Sequence, residues 1–287
     1  MGLLMMSVKD FSNEWEQPLS PSEAAQFAEQ LKLSGIVGPF RVCDEEHAER
    51  LAKKFLAVSE ELDYQVASTD DPSDRQLAMR NALLATRNRH LYDTDVRFIL
   101  EQPSLISRLS ASLGDDLVCW RTQAFVQYVR RQESGVAPLP WHRDNYLTLL
   151  DPPRTNVSVH MALTTSGKTN CMRVLTGSHE LSDEELFSAY GLQHIEGSEQ
   201  SGPGTSRYVG DVLPGSTGLR SLEMRPGEAV LFTDRLVHAS SWTDDPAIVD
   251  ARVAFAIRVT IPAVRVLPMA LQECLPRQDH PVTLTAK

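Results

Sequence analysis

The sequence predicts a mainly β fold with flanking helices: a β-sandwich or jelly roll behind a helical N-terminal part. Two observations carry this. Apolar residues recur at helical spacing through roughly the first 115 residues. From there the texture changes to short runs rich in Val, Ile, Phe, Tyr, Trp and Thr, separated by turn residues, which fits packed sheets better than alternating strand–helix units.

The elements follow in order. Ser20 as N-cap, Pro21 in the first turn and Glu23 open a helix that Gly35 stops. A second begins near Asp44 and carries Ala48, Leu51, Ala52, Phe55 and Leu56 on one face. A third is expected from about Asp74 to Thr86, then two short ones split by Pro103, the latter ending at Gly114. Leu117 to Val129 reads as a strand. Asn156 to Thr165 alternates, with Val157, Val159, Met161 and Leu163 on one face and Ser158, His160 and Ala162 on the other. Cys171 to Leu175, Ala229 to Phe232 and Arg252 to Ile261 are further short strands. Residues 198–218, crowded with Gly, Ser, Pro and Thr, read as a long loop, either lid-like or a plain surface insertion. The chain as a whole, 1–287, reads as one domain: helical support over 1–115, a β core over 116–265, and a tail over 266–287.

Composition narrows the function. In 287 residues, 42% hydrophobic content supplies a substantial core, and 23% charged residues is ordinary. A net charge of −10 argues against a nucleic-acid partner, though not against a local basic pocket for a small anion. No run of eighteen apolar residues exists to span a membrane. Met1 to Val8 lacks the features of a secretory signal, and Met6 stands where a myristoylation signal has Ser or Thr. Cys43, Cys119, Cys171 and Cys274 are scattered and form no CxxC pair, so reduced thiols and a cytoplasmic setting are expected.

The chemistry centres on Trp141-His142-Arg143-Asp144, at the expected start of a strand. Residues two apart on a strand share a face, so the His142 imidazole and the Asp144 carboxylate can reach one metal ion, while Arg143 points away. Such a pair arises too easily by chance to stand alone. It gains weight from the later stretch Phe232 to Ser240, where a β run leads into His238, and from the strand beyond it that carries Arg252 and Arg258. Two histidines and one carboxylate make a facial set with open positions, which suits non-haem Fe(II). An arginine nearby would hold the far carboxylate of a dicarboxylate cosubstrate. Arg252 and Arg258, six apart, face the same way on an unbroken strand.

Several pieces of the chain, in order, resemble the phytanoyl-CoA dioxygenase family, in the branch containing ectoine hydroxylase and the syringomycin halogenase. They are Ile36-Val37-Gly38-Pro39-Phe40, Cys119-Trp120-Arg121-Thr122, Trp141-His142-Arg143-Asp144, Leu175-Thr176-Gly177-Ser178-His179 and His238-Ala239-Ser240. The resemblance implies a double-stranded β-helix of the cupin-like jelly-roll type, Fe(II) bound by His142, Asp144 and His238, and 2-oxoglutarate and O2 as cosubstrates. It makes Arg252 the partner of the distal carboxylate, with Arg258 as a rival, and counts Gln127, Ser158 and Ser240 among the cosubstrate-binding residues. His160, where the halogenase branch has Trp, either bonds the cosubstrate or fills the barrel. Related halogenases have Ala or Gly in place of Asp144, so the carboxylate here implies hydroxylation, with desaturation or cyclisation as alternatives. The branch implies a small amino-acid-like substrate, free or presented by a carrier protein, in natural-product biosynthesis. Readings from other classes are a silent jelly-roll binding protein and a zinc hydrolase; the latter lacks a general-base motif such as HExxH. His179 is expected to stabilise its loop, Trp120 and Trp141 to pack, and Gln123 and Gln127 to face either the barrel interior or solvent.

Overall fold

The computed structural model describes residues 15, 17–67, 85–127, 139–144, 146, 149–153, 155–168, 170–196, 205–241, 251–267 and 282–285. Its helices are α1 (Pro21–Ser34), α2 (Glu45–Ala67), α3 (Thr94–Leu100), α4 (Pro103–Leu113) and α5 (Asp183–Tyr190). Its strands run β1 (Ile36–Arg41), β2 (Asp116–Gln127), β3 (His142–Asp144), β4 (Leu150–Asp151), β5 (Val157–Ala162), β6 (Met172–Leu175) and β7 (Gln193–His194). They continue with β8 (Thr205–Val209), β9 (Leu219–Leu222), β10 (Glu228–Thr233), β11 (His238–Ser240), β12 (Arg252–Thr260), β13 (Arg265–Val266) and β14 (Val282–Thr285).

Two six-stranded antiparallel sheets dominate. The larger has the order β1-β10-β5-β12-β2-β14, the smaller β7-β8-β3-β11-β6-β9, and β13 pairs with β4 apart from both. The alternation read in the sequence explains how they stack. Val157, Val159 and Met161 of β5, with Val253, Phe255, Ile257 and Val259 of β12, face the helices and join Leu51, Phe55, Leu105 and Leu109 in the main core. Phe55 stacks on Phe255 with ring centroids 5.8 Å apart, fixing α2 to the sheet. The opposite face looks into the space between the sheets, where Ala162, Val230 and Phe232 meet Met172, Val174 and Leu222 of the smaller sheet. This is the double-stranded β-helix.

The N-terminal helix starts as its sequence dictates: the Ser20 side chain accepts from the Glu23 amide, and Glu23 accepts from the Ser20 amide. It ends at Gly35, whose φ of +74° is left-handed and against which a Cβ would meet the His179 imidazole at 2.5 Å. His179 Nε2 lies 2.9 Å from the Lys32 carbonyl, so this histidine secures the end of α1.

Four expectations need correcting. The helical N-terminal part also contains β1, which pairs with β10 at the edge of the larger sheet. Helix α5, with a complete capping box between Ser182 and Glu185, stands where no helix was expected. Residues 205–209 of the expected 198–218 loop form β8, which pairs with the His142–Asp144 strand. The backbone polar groups of β3 need a partner there, and buried Tyr208 anchors it. Residues 198–204 lie outside the described residues. Within the expected tail, Val282–Thr285 covers the edge of β2, as alternating Val, Thr and Leu permit. The helix expected near 74–86 falls almost wholly outside the described residues, as does Cys274.

Candidate metal centre and cosubstrate pocket

Both sheets contribute walls to a cavity of about 320 Å³. His142 and Asp144 project from β3, and His238 from β11; His142 and His238 are directly paired across the two strands. Their ring centroids lie 4.1 Å apart, and His142 Nε2 is 3.8 Å from Asp144 Oδ1. One ligand atom from each of the three residues falls within 4.8 Å of the others, and all three side chains are buried. Two imidazole nitrogens and one carboxylate oxygen at this spacing fit a divalent transition ion, with room left for further ligands.

The surroundings prepare the donors. His142 Nδ1 lies 2.7 Å from the Pro140 carbonyl and His238 Nδ1 2.9 Å from the Leu236 carbonyl. Each Nδ1–H donates to its carbonyl, which leaves the Nε2 lone pair free for the site. Burial lowers the His142 pKa, and burial with neighbouring His142 brings His238 down to about 3. Both rings therefore stay neutral and able to ligate. Burial works against the charge on Asp144, but the Arg258 guanidinium, helped by the Tyr146 hydroxyl, outweighs it and holds its pKa below the ordinary carboxylate value. Its Oδ2 accepts from the Tyr146 hydroxyl at 2.8 Å and from Arg258 Nη2 at 3.1 Å, leaving Oδ1 toward the histidines.

Arg252 stands elsewhere on the same wall. Its Nη1 donates to Gln127 Oε1 at 3.0 Å and its Nη2 to His160 Nε2 at 3.0 Å. Gln127 Nε2 donates in turn to Ser240 Oγ at 3.5 Å. Among the described residues no carboxylate pairs with Arg252, and burial brings its pKa down to about 10. His160 is held neutral, its pKa driven well down first by burial and then by Arg252. A guanidinium fixed by neutral acceptors retains its charge for an incoming anion.

Nearly all the residues singled out in the sequence converge here: His142, Asp144, His238, Arg252, Arg258, His160, Gln127, Gln123 and Ser240 line the cavity. Ser158 does not. It is fully buried beside Arg258 in register, and its Oγ accepts from Asn156 Nδ2 at 3.3 Å, so the longer neighbour reaches the cavity instead. Arg143 points away and donates to the carbonyls of Arg235, Ser178 and Leu181 and to Asp183. Trp120 and Trp141 pack outside the cavity wall. Sequence reasoning missed Tyr146, two residues beyond Asp144 in the same alternation, and Arg121, whose place opposite Arg258 only the sheet register decides.

A comparison with curated protein sequences found no match. Among solved structures, the chain resembles the epimerase SnoN in complex with Fe3+, alpha ketoglutarate and nogalamycin RO (TM-score 0.60, 16% identity, 93% of this chain and 96% of that one). It also resembles the non-heme monooxygenase ThoJ (0.58, 21%, 91% and 84%). A third is CytC3 with Fe(II) and alpha-ketoglutarate (0.53, 20%, 88% and 80%). The family model for phytanoyl-CoA dioxygenase matches residues 31–246, a stretch that holds β1, the whole smaller sheet and all three clustered ligand residues. The chain belongs to the phytanoyl-CoA dioxygenase family, whose members are oxygenases dependent on iron and 2-oxoglutarate.

Proposed function

We propose that this chain, acting as one domain, hydroxylates an unactivated C–H bond of a small amino-acid-like substrate, using Fe(II), 2-oxoglutarate and O2. The observation that carries the reading is the shared cavity: three clustered His and Asp residues and a buried arginine that pairs with no carboxylate among the described residues face the same space. His142, Asp144 and His238 hold the iron. Arg252 takes the distal carboxylate of 2-oxoglutarate, with Gln127, His160 and Ser240 fixing its fork. Arg258, already committed to Asp144 and Tyr146, is the weaker candidate for that role.

When bound, the iron and 2-oxoglutarate supply an O2-dependent decarboxylation, yielding succinate and CO2, whose oxidising power falls on the substrate. The protein decides which hydrogen lies in reach. Phe232 and Met172 give the cavity its apolar wall, limiting water beside the reacting carbon. Tyr146 and Arg258 hold Oδ2 of Asp144, so the carboxylate offers one oxygen to the metal and keeps its geometry. That retained carboxylate supports hydroxylation over halogenation. A cavity near the lower end of ordinary ligand pockets, shared with 2-oxoglutarate, suits a small substrate. We place the reaction in natural-product biosynthesis in the cytoplasm, with the substrate free or presented by a carrier protein.

The test is an anaerobic absorbance titration of the metal-free protein with Fe(II) and then 2-oxoglutarate. A weak charge-transfer band should require both and vanish in His142→Ala. Metal binding without the band would remove the cosubstrate from the reading. Screening amino acids for substrate-dependent succinate then tests the substrate class.

A further inference from the structure

Strand β2 turns toward the cavity through a break in its pairing. Leu117 and Cys119 face the helices. The register then shifts by one extra residue, Trp120, between the Arg258–Arg121 and Val259–Cys119 pairs. A bulge beside an active site commonly serves to re-aim side chains. From there Gln123, Phe125 and Gln127 alternate onto the cavity wall, with Ala124 and Val126 in the core behind them. Gln127 stands opposite Arg252 and accepts from it. Gln123 stands opposite Ala256, whose register partner on the other side is His160.

These positions separate Gln123 from the groups that fix Arg252. Four residues lie between it and Gln127, roughly 13 Å along the strand, and two strand spacings, about 10 Å, between it and His160. Ala256 is two residues from Arg258, which clamps Asp144, so this stretch of wall lies beside the ligand carboxylate.

Arg87 decides which way the Gln123 amide faces. Residues 86–88 run along β2, with Arg87 directly opposite Gln123. The Asn88 amide donates to the Thr122 carbonyl at 2.9 Å, and the Ala124 amide to the Thr86 carbonyl at 3.0 Å. Buried Asn88 has a φ of +50°, a left-handed conformation uncommon outside glycine, and its side chain accepts from the Thr122 amide at 3.3 Å. Strain of this kind persists where the surroundings enforce it, often beside functional sites. Arg87 Nε donates to Gln123 Oε1 at 3.3 Å. A guanidinium can only donate, so the amide oxygen faces Arg87 and the NH2 group is left to the cavity. Among the described residues Gln123 Nε2 has no acceptor, whereas Gln127 Nε2 donates to Ser240.

We propose that Gln123 determines specificity: its Nε2 donates to the carbonyl oxygen of the substrate and so sets the orientation of the molecule in the cavity. This rests on the oxygenase reading and deepens it by naming the group recognised. A neutral amide N–H donates to the carbonyl of an acid, an amide or a thioester alike. It offers nothing to an ammonium group, which is itself only a donor. An amino-acid-like substrate therefore enters with its carbonyl toward Gln123 and its amine elsewhere. Phe125 and Ala256 line the adjoining wall and give its carbon chain an apolar surface.

The experiment uses the protein loaded anaerobically with Fe(II) and 2-oxoglutarate. Short amino acids, their primary carboxamides and the corresponding alkylamines, which lack the carbonyl, are compared by thermal melting and by perturbation of the charge-transfer band. Acids and carboxamides should bind, and alkylamines should bind roughly tenfold or more weakly. Gln123→Glu keeps the length and the acceptor for Arg87 but removes the donor; Gln123→Leu removes both. In each variant the acids and carboxamides should weaken roughly tenfold while the alkylamines do not, a contrast that general damage to the fold would not produce. The band without substrate is read in every variant, so failure of the oxygenase reading appears there and failure of this one in the panel. Alkylamines binding as tightly as the carbonyl compounds, no member of the panel binding, or undiminished binding in Gln123→Glu would each overturn the proposal. The wild-type comparison stands even if a variant fails to fold.

Discussion

Arg258 donates from Nη2 to Oδ2 of Asp144 at 3.1 Å, with side chains 12% and 8% exposed. The contact joins the central strand of the larger sheet to the ligand strand of the smaller one. It clamps the carboxylate by the oxygen turned away from the histidines. Groups that orient a metal ligand in this way commonly matter about 10–100-fold in metal affinity.

Tyr146→Phe removes the second donor to the same oxygen, at 2.8 Å, and leaves the fold's packing intact. Iron affinity should fall about tenfold. Anaerobic competition against a fluorescent chelator measures it; an unchanged affinity would mean the hydroxyl does not position the ligand.

Arg252→Ala should weaken 2-oxoglutarate by roughly two orders of magnitude, since charge-assisted bonds contribute about 1.5–3 kcal/mol each. Gln127→Leu, which only loosens the fork, should cost less. Titrating the charge-transfer band reads both, and the opposite ranking would transfer the cosubstrate to another arginine.

With the carboxylate of Asp144 in place, wild-type turnover in chloride should give hydroxylated product and no chlorinated one, as mass spectrometry will show. Asp144→Ala should abolish hydroxylation. It also strands Arg258 in a buried site, at a cost of about 3–5 kcal/mol in stability.

Stability of the metal-free protein should fall with acid. His90, 1% exposed, has its pKa lowered to about 4 by burial, then by Arg97, from an ordinary value near 6.5. Below 6.5 the unfolded chain takes up a proton that the folded one refuses, so stability declines as pH falls through that window and levels off near 4. His90 alone accounts for something on the order of 3 kcal/mol. Melting temperatures between pH 7 and 4 check this; a flat profile would mean that His90 protonates freely in the fold.

Phe55→Ala deletes the ring that stacks on Phe255 and should destabilise the protein by about 3–5 kcal/mol. Urea unfolding measures it. A loss under 1 kcal/mol would place α2 outside the cooperative core.

Much of this was legible in the chain because strand alternation is a local property. The period of two in Asn156 to Thr165 divides β5 into a helix-facing half and an inward half that includes His160, and the same period puts His142 and Asp144 on one face. The residues that cluster as His142, Asp144 and His238, the arginines of β12 and the jelly-roll class follow from residue types, their order and the family resemblance. Pairing between distant segments is not local. Nothing near His142 in sequence names Thr205 to Val209 as its neighbouring strand, or His238 as its partner on the other side. The bulge at Trp120 is the sharpest case: one unpaired residue reverses the alternation of β2 and turns Arg121 from the helices to the cavity. Register depends on which backbone groups meet across the sheet, and only the folded chain brings them together.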